Sequence, residues 1–439
     1  MRDSVTSQAI IQDALDQAIT EAGTSGNIVV LLVDQGRETL VERGTGHSHG
    51  SPSEQYYQLG SISKFVTAVA CLVLDERGEL SLDEPMRFAG HLIPRYLGRK
   101  VDLTPRQVLH HVTGLNVHSI PGYPRGEKVP GTAGIIAGEG RSPALAFTGI
   151  PTGRVSYSSG AFMLLQAELE QRHDLGELLP EAIRGISPGV AVLADSFEGP
   201  ENPLLAQGFI NAAIPVPHGS LHYPETCAGG LWARPRDLMT LLVDIAGHLR
   251  GDGGGGAVGA RIRGELLSRR LHPKMAMSAL VDEDREGRTY YHHQGAAAGF
   301  TTEFAGYPEE DVHVVAMASA AVTPPELRKV VRQALAASSV GTPVASTQSL
   351  LPADSATSAD DHGEVTGNYA GDSLTAEVTA DAATVRTQNG FALELRRTAA
   401  RVYAVPGEQY PRLVIDGDRM RFSDGARLYR LGRSSTSRS

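Results

Sequence analysis

The first arrangement in the chain with a chemical use is the pair Ser61 and Lys64. It lies in Gly60-Ser61-Ile62-Ser63-Lys64-Phe65, where Phe65, Val69, Leu72 and Val73 recur at helical spacing. A helix opening at Ser61 puts Lys64 on the same face, one turn on. An amine held against a hydroxyl removes its proton when the amine is neutral, and burial favours the neutral amine. Ser-x-x-Lys therefore reads as a serine nucleophile with its own base. A helix start also gathers unpaired N–H groups at the positive end of the dipole, which suits developing negative charge. Farther along, Tyr157-Ser158-Ser159 precedes an apolar helical pattern at 161–171, and His293-Gln294-Gly295 is read as preceding a strand. Tyrosine and histidine are both proton carriers.

The elements that must hold these groups follow from the hydrophobic pattern. Residues 1–22 carry Ile10, Ile11, Ala14, Leu15, Ala18 and Ile19 at helical spacing, an amphipathic helix rather than an export signal. Residues 27–34 form a continuous β-branched run that suits a buried strand, and Gln35-Gly36-Arg37 turns it into a hairpin through Gly44. The Ser61 helix is expected to stop near Gly78. Thr104 and Pro105 open a short helix that Gly114 would end, with His110 and His111 as helix-end hydrogen-bonders. Residues 116–150 are rich in Gly and Pro, and a long loop of that kind often lines a site. After 223–233, a tight loop entering a strand, Pro235 starts a strong amphipathic helix, and 301–307 with 312–319 form a second hairpin before a last helix at 325–336.

The order predicts an α+β (αβα) fold, an antiparallel sheet flanked by helices with an all-helical insertion as a subdomain. Residues 339–364 are Ser, Thr, Ala, Asp and Pro with few large apolar side chains, a linker by composition. Short alternating runs then recur between turn pairs such as Asn389-Gly390 and Asp416-Gly417, so 365–433 reads as a small C-terminal all-β barrel. Residues 1–338 would be the catalytic domain.

Bulk properties narrow the function. The 439 residues carry a formal charge of −10 with no basic block, which argues against nucleic acid as a partner. Apolar runs reach about half of the roughly 20 residues a membrane span needs, so no membrane is expected. Cys71 and Cys227 read as small core residues rather than a disulfide framework. His47 and His49 lack the carboxylate or thiol company of a metal site, and no metal or cofactor is expected. With no export signal read, the default location is cytoplasmic.

Taken together and in order, Ser61-x-x-Lys64, Tyr157-x-Ser159 and His293-x-Gly295 resemble the serine β-lactamase-like and penicillin-recognising superfamily, in particular its class C-like branch with esterases and D-aminopeptidases. Leu109-His110-His111-Val112-Thr113-Gly114-Leu115, Pro121-Gly122-Tyr123 and Ala228-Gly229-Gly230-Leu231-Trp232 also have counterparts there, and the likeness covers roughly residues 5–338. The resemblance implies that Ser61 attacks a carbonyl and forms an acyl-enzyme. Lys64 and Tyr157 would share the proton traffic, either being able to act as base, with Tyr157 held as phenolate by neighbouring cations. His293 would contact Tyr157 and the leaving group. The backbone N–H groups of Ser61 and Ala296 would form the oxyanion hole beside Gly295, and Ser159 would contact substrate where the family usually has Asn. The C-terminal unit resembles lipocalin-like domains found beside such catalytic domains.

The expected function is acyl transfer from an amide or ester of a small peptide-like or natural-product donor to water or to an amine acceptor. A transacylase, a penicillin-binding-protein-type thioesterase that cyclises peptides, and a D-stereospecific peptidase or esterase all fit. The alternative is a non-catalytic ligand-binding or sensor protein on the same fold. A Lys64→Ala variant separates the two: an enzyme loses turnover while its affinity for ligand is unchanged.

Overall fold

In the computed structural model, residues 4–341 and 367–433 are described, apart from 23–24, 45–49, 149–150, 152–154, 196–203, 211–213, 253–256, 269–270, 272–273 and 285 in the first stretch and 371–373, 380, 388–391, 400–401, 405–411, 417–418 and 424–427 in the second. The chain opens with α1 (Ser4–Ala22), followed by β1 (Asn27–Asp34) and β2 (Arg37–Gly44). Gln35 and Gly36 both take positive φ, at 51° and 76°, the turn that matches the twist of a two-residue hairpin. A middle region holds β3 (Tyr57–Gln58), α2 (Ile62–Glu76), α3 (Pro105–Leu109), α4 (Thr132–Ala137), α5 (Ser159–Glu170), α6 (Leu175–Arg184), β4 (Val192–Ala194), β5 (Leu231–Ala233), α7 (Pro235–Arg250) and α8 (Ala257–Arg263). Then come β6 (Met275–Ala276), β7 (Ala279–Glu283), β8 (Thr289–Ala297), β9 (Phe300–Tyr307), β10 (Val312–Ala318) and α9 (Pro324–Ala336).

The sheet is antiparallel and seven-stranded, in the order β2-β1-β10-β9-β8-β7-β6. Residues from the two ends of this region meet at its centre, where Ile28 faces Ala318 and Asp34 faces Val312. Every residue from Asn27 to Leu32 but none of the alternation of a one-sided strand is buried, because both faces are covered. Ile28, Val30 and Leu32 pack with Ile11 and Leu15 of α1 and Leu327, Val330 and Val331 of α9. Val29 and Leu31 point the other way, into a core shared with Phe65 of α2 and with Leu238 and Leu242 of α7.

Two expectations change here. The middle region is not all helical, since β3, β5 and β4 form a small three-stranded sheet. The helix at Pro105 ends at Leu109, five residues before Gly114, because His111 takes a left-handed φ of 54° that no helix continues. Cys71 and Cys227 are free and fully buried. Among the described residues no helix is long and apolar enough to cross a membrane. His47 and His49 lie outside the described residues, as do residues 342–364 of the expected linker and 365–366 of the expected barrel. Ser339 and Val340 still pack on the first unit, where the Ser339 N–H donates to Asp34 Oδ2 at 2.9 Å.

The C-terminal strands are β11 (Gly367–Ala370), β12 (Leu374–Val378), β13 (Ala382–Thr387), β14 (Ala392–Ala399), β15 (Val402–Ala404), β16 (Arg412–Asp416), β17 (Arg419–Ser423) and β18 (Leu428–Arg433). They close into an antiparallel barrel through β11 and β18. Its interior is filled by Tyr369, Val385, Leu395, Tyr403, Leu413 and Met420, so it is a packed core.

One buried ion pair ties the middle region together. Arg106 of α3, 6% exposed at its side chain, donates to Glu265, 1% exposed, and to Asp83 at 2.6 and 3.0 Å. Its carbonyl receives the His110 backbone N–H at 3.1 Å, so it also fixes the start of the His110-His111 turn. Arg106→Met removes the guanidinium from buried Glu265. An uncompensated buried charge of this kind costs about 3–5 kcal/mol, and urea denaturation should show a loss of that order. A change under about 1 kcal/mol would mean the pair does not hold the region.

Candidate active site

The site forms where α2, the loop before α5 and strand β8 converge. Helix α2 begins at Ile62, with Ser61 in helical conformation (φ −64°, ψ −13°) and its hydroxyl making no capping bond to the helix. The hydroxyl is thus left for Lys64, whose Nζ stands 3.1 Å from Ser61 Oγ. The same Nζ donates to the Ala228 carbonyl at 2.7 Å, 164 residues away in sequence. Helix α2 is locked to that distant turn twice more, since Leu231 N–H donates to Ser63 Oγ (3.1 Å) and Thr67 Oγ1 to the Cys227 carbonyl (3.2 Å).

Lys64 is fully buried, and burial lowers its pKa to about 7, with Glu225 opposing the drop. The amine is therefore neutral in a useful fraction at physiological pH, the condition for a base. Its Nζ also lies 5.0 Å above the Tyr157 ring. Burial raises the pKa of Tyr157 above its usual value, with Ser61 as the opposing influence, so Tyr157 is a phenol at neutral pH. The expected phenolate is not supported, because burial dominates at Tyr157 and the histidines beside it, His293 and His111, are uncharged. His293 is buried, which holds it down to about 3, with Lys64 adding to the effect. His111 is likewise pushed well below the usual imidazole range by burial.

His293-Gln294-Gly295 lies inside β8 rather than before a strand. A strand places alternate residues on one face, so His293 and Gly295 both turn to the same side. His293 Nδ1 bonds the Gln294 carbonyl at 2.8 Å, which puts the proton of the neutral ring on Nδ1 and leaves Nε2 as an acceptor. Its ring centroid is 6.2 Å from that of Tyr157. Gly295 is required by space, since a Cβ there would stand 1.9 Å from the Leu59 carbonyl oxygen. Gly60, at φ +51°, packs against the Ala296 backbone, where a Cβ would come within 2.6 Å of its nitrogen. These close approaches bring the Ser61 and Ala296 backbones to one wall of a cleft of about 380 Å³ that Ser61, Tyr157, Ser159, His293, Gly295 and Ala296 all line. Ser159 Oγ donates to the His118 carbonyl at 2.8 Å, so its proton is used in holding the loop and its lone pairs remain as acceptors on the cleft lining.

Sequence reading missed three participants. His111, taken as a helix-end residue, stacks on Tyr157 at 4.3 Å and 24°, and its Nδ1 receives the Ser158 N–H at 3.2 Å. His110 does bond the helix end, through the Arg106 carbonyl at 2.9 Å. His118, from the Gly/Pro-rich loop, lies 4.9 Å from the Tyr157 ring. Glu225 is buried behind Lys64. Position within the Leu-x-His segment was a signal for His111, whereas His118 and Glu225 carry none.

A nucleophile with an adjacent buried amine, in a sheet-and-helix fold of this order, defines a serine acyl-transfer architecture. The beta-lactamase family profile matches residues 13–338, and the chain belongs to that family. Over 114 residues it is 33% identical to the serine beta-lactamase-like protein LACTB, mitochondrial, of Homo sapiens, and equally to that of Mus musculus. That stretch is 24% of this chain and spans a fifth of the relatives' length. Among solved structures it is similar to a class C beta-lactamase from Rhodobacter sphaeroides, at TM-score 0.57 and 20% identity over 74% of this chain and 98% of that one. It is similar over nearly its whole length to SurE, at TM-score 0.59 and 19% identity over 98% of this chain and 99% of that one. The octameric penicillin-binding protein homologue from Pyrococcus abyssi gives TM-score 0.56 and 17% identity over 96% and 98%.

The Lys64 environment sets a pH dependence. In the folded protein Lys64 takes up its proton only below about 7, whereas an unfolded chain binds it already below about 10.4. Between those values the unfolded state holds more protons, so the Lys64 contribution makes stability rise with pH across that window. Acylation by a p-nitrophenyl ester should increase with pH through an apparent pKa near 7. Lys64→Met should abolish acylation and flatten the stability slope between pH 7 and 10. A wild-type rate that is constant from about pH 6 to 9 would exclude Lys64 as the titrating base.

Proposed function

We propose that this protein is a serine acyl-enzyme hydrolase or acyltransferase that cleaves an amide or ester bond of a small peptide-like or natural-product donor and passes the acyl group to water or an amine. The observation that carries the proposal is the fully buried Lys64 amine, 3.1 Å from Ser61 Oγ with its pKa lowered to about 7.

In this reading neutral Lys64 takes the Ser61 proton as Oγ attacks the donor carbonyl. The tetrahedral oxyanion is met by the Ser61 and Ala296 N–H groups, donors of a kind worth roughly 10²–10³ in rate each. Tyr157, protonated at neutral pH, relays the proton from Lys64 to the leaving group instead of opening the reaction as a phenolate. His293 Nε2 accepts a hydrogen bond from Tyr157 or from the departing group. Ser159 accepts a donor N–H from the substrate. The acyl-enzyme then yields to water or an amine, with the same groups returning the proton to Ser61.

The class of donor is read from similarity and shape. SurE, which matches nearly the whole chain, has been crystallised with D-Leu. That favours donors or acceptors bearing D-amino acids, as in a D-stereospecific peptidase, a transacylase or a peptide cyclase of secondary metabolism. In this proposal residues 1–338 are the catalytic domain, 339–364 the linker and 365–433 a lipocalin-like domain. The non-catalytic alternative leaves the lowered Lys64 pKa without a use.

Intact mass after incubation with an activated D-leucyl ester should show one acyl adduct on the wild type and none on Ser61→Ala. Added amines should then consume the adduct faster than water alone if the protein is a transferase. An adduct retained in Ser61→Ala, or none on the wild type, removes the proposal. L-leucyl ester reacting as fast as the D form removes its stereochemical part.

A further inference from the structure

Glu225 is a buried acidic group near the site that the mechanism above leaves unused. Its side chain has no solvent exposure, and neither carboxylate oxygen makes a hydrogen bond to another of the described residues; its own backbone N–H is the donor near it. Leaving a carboxylate in that state is costly, and such a group normally answers to a nearby opposite charge. The turn that carries it is rigid. The Glu225 carbonyl receives the N–H groups of Ala228 (2.9 Å) and Gly229 (2.8 Å). Gln166 of α5 clamps the turn from outside, donating to the Pro224 carbonyl at 2.9 Å and receiving the Cys227 N–H at 3.2 Å. Three residues on in the same turn, the Ala228 carbonyl is the one that accepts from Lys64 Nζ.

We propose that Glu225 is a positioning residue whose fixed negative charge, buried beside Lys64, sets the protonation state of the catalytic amine. The inference rests on the reading of Lys64 as the base. The two groups act on each other: Glu225 is what opposes the desolvation of Lys64, and Lys64 is among the charges that oppose the desolvation of Glu225. Burial raises the Glu225 carboxyl to about 6, so it is ionised through most of the range in which the enzyme would work. The other titratable groups facing it are His222 and Tyr223 from its own turn. The small cavity it lines is otherwise walled by Val117, Ile120, Ile135, Ile136, Leu145 and Met163 and by the Ser142 hydroxyl, none of which can carry charge there. Without the carboxylate, desolvation alone would act on Lys64. The amine would then be neutral at lower pH, but a weaker base.

The test is the pH profile of acylation, read as the burst with a p-nitrophenyl ester on the full chain. Glu225→Gln keeps the shape and removes the charge, and its midpoint should fall by about one pH unit, the scale of an opposite charge within ~4–6 Å. At pH 6 the variant should acylate faster than the wild type relative to its own plateau, and the plateau itself should be lower. Glu225→Asp, which keeps the charge, should hold the wild-type midpoint. A Gln midpoint equal to that of the wild type overturns the proposal, even when the plateau falls, because a merely structural role lowers the rate at every pH without moving the midpoint. If Gln does not fold, Asp decides: a midpoint moved down by as much as a unit shows that charge at this position does not set it. A wild type that forms no acyl-enzyme defeats the parent reading instead, and a wild type with a flat profile defeats the assignment of Lys64.

Discussion

An amine without solvent is the constraint on which this molecule is built. Lys64 sits fully buried in the first turn of α2, between the Ser61 hydroxyl and the Ala228 carbonyl. Water would hold it as ammonium; the core does not. Each neighbouring element serves to keep that state available. The turn at 225–230 supplies a neutral acceptor, and α5 clamps the turn through Gln166. His111 and His293, both uncharged through burial, surround Tyr157 without adding a cation that would compete for the site.

The seven-stranded sheet holds the cleft open on one side. Strand β8 passes so close to the segment before α2 that only Gly fits at 60 and 295. Thr302 of β9 donates to the Leu59 carbonyl at 2.9 Å, which fixes the same segment from the next strand. Backbone packed this closely leaves no room for a side chain at Gly60 and Gly295, and it holds Ser61 and Ala296 on the lining of one cleft.

Much of this was legible in the sequence. The β-branched run at 27–34, the helix start at Ser61, the Thr104-Pro105 cap and the final hairpin are local signals, and each of these starts formed at or within a residue or two of its expected place, although the Pro105 helix stops short of Gly114. The short strand β4 carries no such signal, because a three-residue strand has too few alternations to show a period, whereas β5 follows the Gly-rich loop that leads into it. The first barrel strand, β11, was missed for the same reason: Gly367–Ala370 is brief and opens on glycine. His293-Gln294-Gly295 reads from the sequence as preceding a strand, whereas the close pass of β8 against Leu59 needs glycine inside the strand.

The sequence by itself determined which groups are present and that Ser61 and Lys64, three positions apart, share a helix face. That relation is set by the period of the helix and needs no knowledge of the rest. Tertiary structure alone decided their charge. Burial is a property of the whole packing, and it turned an ordinary lysine into an amine with a pKa of about 7 and kept Tyr157 a phenol. It also brought Ala228, 164 residues distant, to Lys64, and set His111, His118 and Glu225 around the centre. No spacing along the chain encodes those approaches, because they depend on where the loops between elements are drawn by the core beneath them.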